Sequence, residues 1–185
     1  MSHFDDFERT YGPPVSCEKV DADTIRAYQG LLPEELLDHW QQVGWCAYGE
    51  GLLWFVNPQQ LEDPVDDWLQ TESGRPLVFL RTAFAHLYLW YDGYVYSLDV
   101  QTGSLSQVTE DIKLFFSILC GEKIQEKILR LQLYREAMQR LGPPSRDECY
   151  AFVPALPLGG PGTADTVQRV KLREHLAILA QLVLG

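Results

Sequence analysis

Apolar positions recur three and four apart in the first part of the chain, every second residue in the middle, and three and four apart again towards the end. Phe4, Phe7 and Tyr11 predict a short amphipathic helix, closed by Gly12-Pro13-Pro14. Asp21, Asp23 and Thr24 can cap a second short helix carrying Ile25 and Tyr28. The stretch from Leu31 to Pro58 is the one the rest is organised around. Pro33 is expected as the first residue of a helix, where its missing N–H costs nothing. Glu34 and Glu35 follow in the first turn, where the helix dipole favours negative charge. Leu36, Leu37, Trp40 and Val43 share one face, and Gly44 can end the helix in a left-handed conformation. After a turn region at Gly49 and Gly51, Leu52–Val56 is an uncharged apolar run, the signature of a buried strand. Asn57-Pro58 stops it and can begin the next helix. Gln59 to Gln70 then predicts one or two helical turns interrupted by Pro64, with Leu61, Val65, Trp68 and Leu69 inward and Glu62, Asp63, Asp66 and Asp67 mainly outward.

Beyond Ser73-Gly74-Arg75-Pro76 the period changes to two. Leu77–Thr82 is expected as a strand. His86–Tyr91 and Tyr94–Asp99 flank Asp92-Gly93, a type I′ hairpin signal that sets Tyr91 opposite Tyr94, Leu89 opposite Tyr96 and Leu87 opposite Leu98. Both faces of this hairpin are apolar, so the sheet should be covered on both sides. Thr102-Gly103 turns the chain into Leu105–Val108. A helix capped by Thr109 carries Ile112, Phe115, Phe116 and Leu119 inward and ends at Gly121. Glu122–Leu141 has the longest helical signal, Cys149–Val153 reads as a short strand, Pro154–Gly162 as loop, and Thr166–Leu182 as the last helix. The expected fold class is α+β: a helical N-terminal lobe (residues 1–74) with a short buried strand, packed on a C-terminal lobe (residues 75–185) of antiparallel strands covered by helices.

Charge adds an asymmetry. Of the 26 Asp and Glu residues, 15 lie in residues 1–72, which hold only 3 of the 15 Lys and Arg, so the net charge of −11 belongs to the first lobe. Such a chain is a poor ligand for nucleic acid, whose affinity comes from Lys and Arg, and suits a basic protein partner. The start, MSHFDDFERTYG, lacks a signal peptide's basic and apolar regions, and no apolar run is long enough to span a membrane, so a cytoplasmic location is expected. Cys17, Cys46, Cys120 and Cys149 form no CxxC and are expected as buried free thiols. His3, His39, His86 and His175 are isolated, and no metal-binding, nucleophile-elbow or phosphate-loop motif occurs; Gly159-Gly160-Pro161-Gly162 lacks the Lys-Ser/Thr of a phosphate cradle. No catalytic, cofactor-binding or metal-binding residues are assigned. The carboxylate pairs Asp5/Asp6, Glu34/Glu35, Glu62/Asp63 and Asp66/Asp67 fit a solvated face or a protein-binding face; acid–base or divalent-metal chemistry would need convergence that sequence does not show.

Several stretches carry a family likeness: LPEELLDHW (Leu32–Trp40), YGEGLLWFVNP (Tyr48–Pro58), VDDWL (Val65–Leu69), RTAF (Arg81–Phe84), YLW before Asp92-Gly93, FVPALPLGG (Phe152–Gly160) and VKLREHLAILAQL (Val170–Leu182). The first half resembles the GAD-like domain of bacterial proteins, and the second the domain often fused to it in immunity proteins of the type VI secretion system. The resemblance implies a non-enzymatic protein that binds and neutralises a toxin of its own cell, a basic DNase fused to a PAAR spike-tip module. It supplies no catalytic residues, and its toxin-contacting positions carry no transferable motif. The residues expected at such an interface are therefore chosen by charge and exposure: Asp5, Asp6, Glu8, Tyr48, Glu50, Glu62, Asp63, Asp66 and Asp67. Among the large aromatics Trp45, Trp54, Trp68 and Trp90 are expected in the core, and Tyr48, between two turn-prone glycine positions, partly exposed. The rival readings are a SUKH-type interaction module for a toxin of other chemistry, and a small hydrolase with dispersed site residues.

Overall fold

The computed structural model describes residues 3–71 and 74–185; Ser73, the first residue of the expected boundary, and the side chain of His3 lie outside them. The chain opens with helix α1 (His3–Tyr11), strand β1 (Val15–Glu18), α2 (Ala22–Tyr28) and α3 (Glu34–Val43). Strands β2 (Trp45–Tyr48) and β3 (Leu53–Phe55) follow, then α4 (Glu62–Trp68), entered through a 3₁₀ turn at Pro58–Leu61. Next come β4 (Leu77–Thr82), β5 (Leu87–Tyr91), β6 (Tyr94–Asp99) and β7 (Ser104–Thr109). The chain ends with α5 (Ile112–Leu119), α6 (Glu122–Lys127), α7 (Leu131–Leu141), β8 (Glu148–Phe152), β9 (Val167–Lys171) and α8 (Leu172–Leu184).

Strands β1 to β7 form one antiparallel sheet in which every strand pairs with its neighbour in the chain, and β8 pairs with β9 in a small second sheet. The fold is α+β. The buried strand expected in the first lobe, β3, joins the strands of the second by pairing Leu53–Phe55 with Leu80–Thr82, so the sheet runs through the expected boundary. Alternation along β3 explains the layers. Leu53 and Phe55 enter a core with α1, α2, α3, α5 and α7; Trp54 and Val56 point the other way, into a core with α4 and α8. The hairpin pairs Tyr91 with Tyr94, Leu89 with Tyr96 and Leu87 with Leu98, as expected, and Asp92 (φ 50°) and Gly93 (φ 79°) take the left-handed turn.

Several expectations need correction. Pro33 (ψ 139°) caps α3 from outside rather than standing as its first residue, and Asp111, not Thr109, caps α5 by accepting from the N–H groups of Lys113 and Leu114. Pro64 does not interrupt α4, because it falls in the first turn, where no intrahelical donor is needed. The Glu122–Leu141 helix is broken at Arg130 (φ 54°), which lets Leu129 bury completely while the Arg130 guanidinium lies 5.3 Å from the Phe152 ring centre. The final helix starts at Leu172; Val167–Lys171 is drawn into pairing with β8 instead.

The largest correction concerns β1 and β2. All four residues of β1 are exposed, so no apolar pattern marks it. Its pairing with β2 brings Cys17 to Cys46, and the two form a disulfide with Cα atoms 4.1 Å apart. Cys120 and Cys149 are free. Gly44 is required here for a reason beyond ending α3: its φ is +88°, and a Cβ would meet the Glu18 carbonyl oxygen at 2.2 Å.

Candidate functional site

The residues expected to meet a partner are not brought together. Asp5 and Glu8 of α1 turn towards α3, where with Glu35, Asp38 and His39 they line a shallow pocket of about 240 Å³. Asp6 pairs with Arg9 at 2.9 Å. Glu62 and Asp66 of α4 both hold Arg75, each at 2.6 Å, and Asp63 pairs with Arg173 at 3.3 Å, leaving Asp67 exposed without an ion pair among the described residues. Helix α4 packs on the opposite face of the sheet from α1, so these two acidic sets do not form a single surface. Glu50, with φ 59°, tops the turn between β2 and β3, and its carbonyl accepts from the Tyr134 hydroxyl at 2.7 Å.

Tyr48 is fully buried, contrary to its expected exposure. It stands on β2, facing α1 and α3, with its ring 4.9 Å from that of Phe7 and its hydroxyl 3.2 Å from His39 Nε2. Burial, and then the nearby Glu8 carboxylate, push its pKa upward, so it stays a neutral donor. The glycines that suggested a loop follow the strand rather than containing it. Of the four tryptophans expected in the core, Trp45, Trp54 and Trp68 are buried, but Trp90 is only half-buried.

Trp90 marks the surface that the sequence pattern did not reveal. It is shared by two neighbouring grooves. One, of about 770 Å³, lies between the turn preceding α3 and the β5–β6 hairpin, with Leu31, Pro33, Leu77, Trp90 and Tyr91 supplying apolar walls. The other, of about 360 Å³, runs between Pro33 and the start of α5, lined by Glu35, Glu110, Asp111 and Lys113. Around α3, Lys113 is paired with Glu35 at 3.2 Å. Glu34, Asp38, Asp92 and Glu110 have no ion pair among the described residues, so this side of the molecule keeps uncompensated negative charge. Glu34 was legible as a first-turn acid. Leu31 and Trp90 were hidden, because a side chain in an LLP turn or an apolar strand looks like core until the neighbours are placed.

Elsewhere buried polar groups serve the fold. The Arg81 side chain is fully buried, donates to the carbonyls of Ser145 at 3.2 Å and Arg146 at 2.9 Å, and lies 5.3 Å from the Trp54 ring centre; burial lowers its pKa to about 10, still leaving it charged. His86 contacts Ser97 Oγ at 2.6 Å. Among the described residues no three His, Cys, Asp or Glu side chains gather as a metal site, and no helix is long and apolar enough to cross a membrane.

Fold and surface together define a class: an α+β protein with a helix-covered antiparallel sheet and an acid-rimmed apolar groove beside α3. Family models then place it. One described as GAD-like domain matches residues 2–103, and one described as T6SS immunity protein Tdi1, C-terminal, matches residues 109–183. The chain belongs to the GAD-like immunity proteins of the type VI secretion system. This membership supports an immunity role and implies a cognate toxin as partner. No curated protein sequence matches the chain. Among solved structures, Atu4351 from Agrobacterium tumefaciens is similar with a TM-score of 0.76 at 18% identity, covering 96% of this chain and 88% of that one, a likeness of fold.

Proposed function

We propose that this protein neutralises a nuclease toxin of its own cell by binding it in the cytoplasm, with no chemical step of its own. The toxin we propose is a DNase joined to a PAAR module, as the resemblance implies. The observation that supports this reading is the uncompensated acid around α3: Glu34, Asp38, Asp92 and Glu110 beside an apolar groove. A DNase must present Lys and Arg to phosphates, and a surface of opposite sign both steers the encounter and competes for those cations.

The test is to co-express the chain with the product of the neighbouring toxin reading frame and assay DNA cleavage. Stoichiometric complex formation with loss of cleavage is expected. Binding without loss of DNA cleavage would assign the toxin another chemistry, and no complex would refute the reading. Charge reversal of Glu34 and Asp38 to Lys is expected to slow association about tenfold at low salt, equivalent to about 1.4 kcal/mol. Reversing Asp66 and Asp67 should slow it less, because Asp66 already answers Arg75.

A further inference from the structure

The geometry points to the Leu31–Trp90 groove as the anchor pocket for the toxin, receiving a toxin segment that presents an apolar or aromatic side chain flanked by Lys or Arg. This rests on the toxin-binding reading above and names the face and the partner chemistry that reading leaves open.

Leu31 is 56% exposed, yet its outward position is held by structure rather than by looseness. The N–H groups of Leu31 and Leu32 both donate to the Tyr28 carbonyl, at 3.0 and 3.1 Å, and Gln29 bridges to Leu32. Leu32 is consequently buried beneath the turn while Leu31 is directed to solvent. The facing wall is the hairpin whose type I′ turn follows Tyr91, and Trp90 stands next to that turn, opposite Val95. Both walls are thus preformed, which lowers the ordering cost of binding. Tryptophan is among the residues enriched at interface hot spots, which are ringed by contacts that exclude water.

Charge identifies the occupant. The cations beside the groove are already occupied: Arg75 by Glu62 and Asp66, Lys113 by Glu35. Glu34 and Asp92 line the groove and Glu110 lines its neighbour, each without an ion pair among the described residues. An apolar floor with acids left over at its margin repels an acidic segment and favours an apolar side chain between basic ones over an apolar one without them. A DNA-binding surface has the basic residues needed at such a segment. The groove, at about 770 Å³, accommodates several side chains.

The test measures affinity for a catalytically inactivated toxin from the neighbouring reading frame, using wild type, Leu31→Asp, Trp90→Ala and a matched control, Ile178→Asp. Ile178 is also 56% exposed, but it lies on α8, across the sheet. Leu31→Asp and Trp90→Ala are expected to weaken binding by about thirtyfold or more, mainly through faster dissociation, with Ile178→Asp unchanged. Leu31→Asp alters an exposed side chain, so its thermal midpoint should match wild type even if Trp90→Ala is destabilised. Wild-type affinity in folded Leu31→Asp, or equal loss in Ile178→Asp, would overturn the groove assignment while leaving the toxin reading intact. Failure of wild type itself to bind would overturn both.

Discussion

Three buried histidines show how single side chains tie this fold to pH. Burial lowers the pKa of His39, His86 and His175 from the ordinary 6.5 to about 4, because the imidazolium would be stranded from water. His39 stacks on Phe4 with ring centres 3.9 Å apart, and His86 is packed against Tyr88. In each case the folded protein holds the neutral ring, so the unfolded chain takes the proton first as pH falls. Stability from this source is complete above about pH 6.5 and is lost progressively towards pH 4, on the order of 1 kcal/mol per pH unit for each ring. Denaturant midpoints measured at pH 7.5 and pH 5 should therefore fall with acidification, and a His86→Gln variant should show a shallower decline. A flat profile would mean that the rings are reached by water.

At the scale of elements, β1 is the weakest in its own right and the most dependent on its neighbours. It is short, exposed along its whole length, and sits at the edge of the sheet. Its anchors are the disulfide to β2 and Arg146, which donates to the Ser16 and Trp45 carbonyls at 2.6 and 2.8 Å and pairs with Glu18 at 3.3 Å. Titration of unreduced, denatured protein should count two thiols, Cys120 and Cys149. Cys17→Ser should lower the unfolding free energy by about 3.6 kcal/mol, the effect expected for a bridge between residues 29 apart. Four titratable thiols would show that the strand is held by Arg146 and the ladder alone. Helices α6 and α7 show the opposite balance: their apolar stripe is strong enough to read as one helix, but satisfying Leu129 and carrying Tyr134 to the Glu50 carbonyl requires the break at Arg130.

For the whole molecule, the matched family segments meet between residues 103 and 109, yet they share one core. Phe116 of α5 lies 4.6 Å from Phe4 and 5.2 Å from Phe7, ring centre to ring centre, and the Tyr11 hydroxyl donates to the Leu119 carbonyl. β7 also completes the sheet beside β6. A chain ending at residue 103 would lose both β7 and the aromatic lid formed by Phe115 and Phe116. It should show no cooperative thermal transition, whereas the full chain should melt in one. Cooperative melting of the fragment would establish that the first segment carries a sufficient core alone. The same sharing places the acidic N-terminal helices and the start of α5 around one groove, which neither segment builds by itself.

Local chemistry alone determined the elements whose pattern is self-contained: the apolar faces of α1 and α3, the uncharged run of β3, and the Asp92-Gly93 hairpin down to its cross-strand pairs. It also determined the negative balance of the first part of the chain. Tertiary structure decided whatever depended on a distant neighbour. β1 exists because β2 is there to pair with it, β9 because β8 is, and Tyr48 is buried because α1 and α3 close over it. The surface divides in the same way, since a carboxylate's sign is written in the chain but its compensation is not. Arg75, just beyond α4, and Arg173, more than a hundred residues on, neutralise most of the acids of α4, while those around α3 keep their field; Leu31 and Trp90 become a groove only when a turn and a hairpin far apart in the first segment are set side by side.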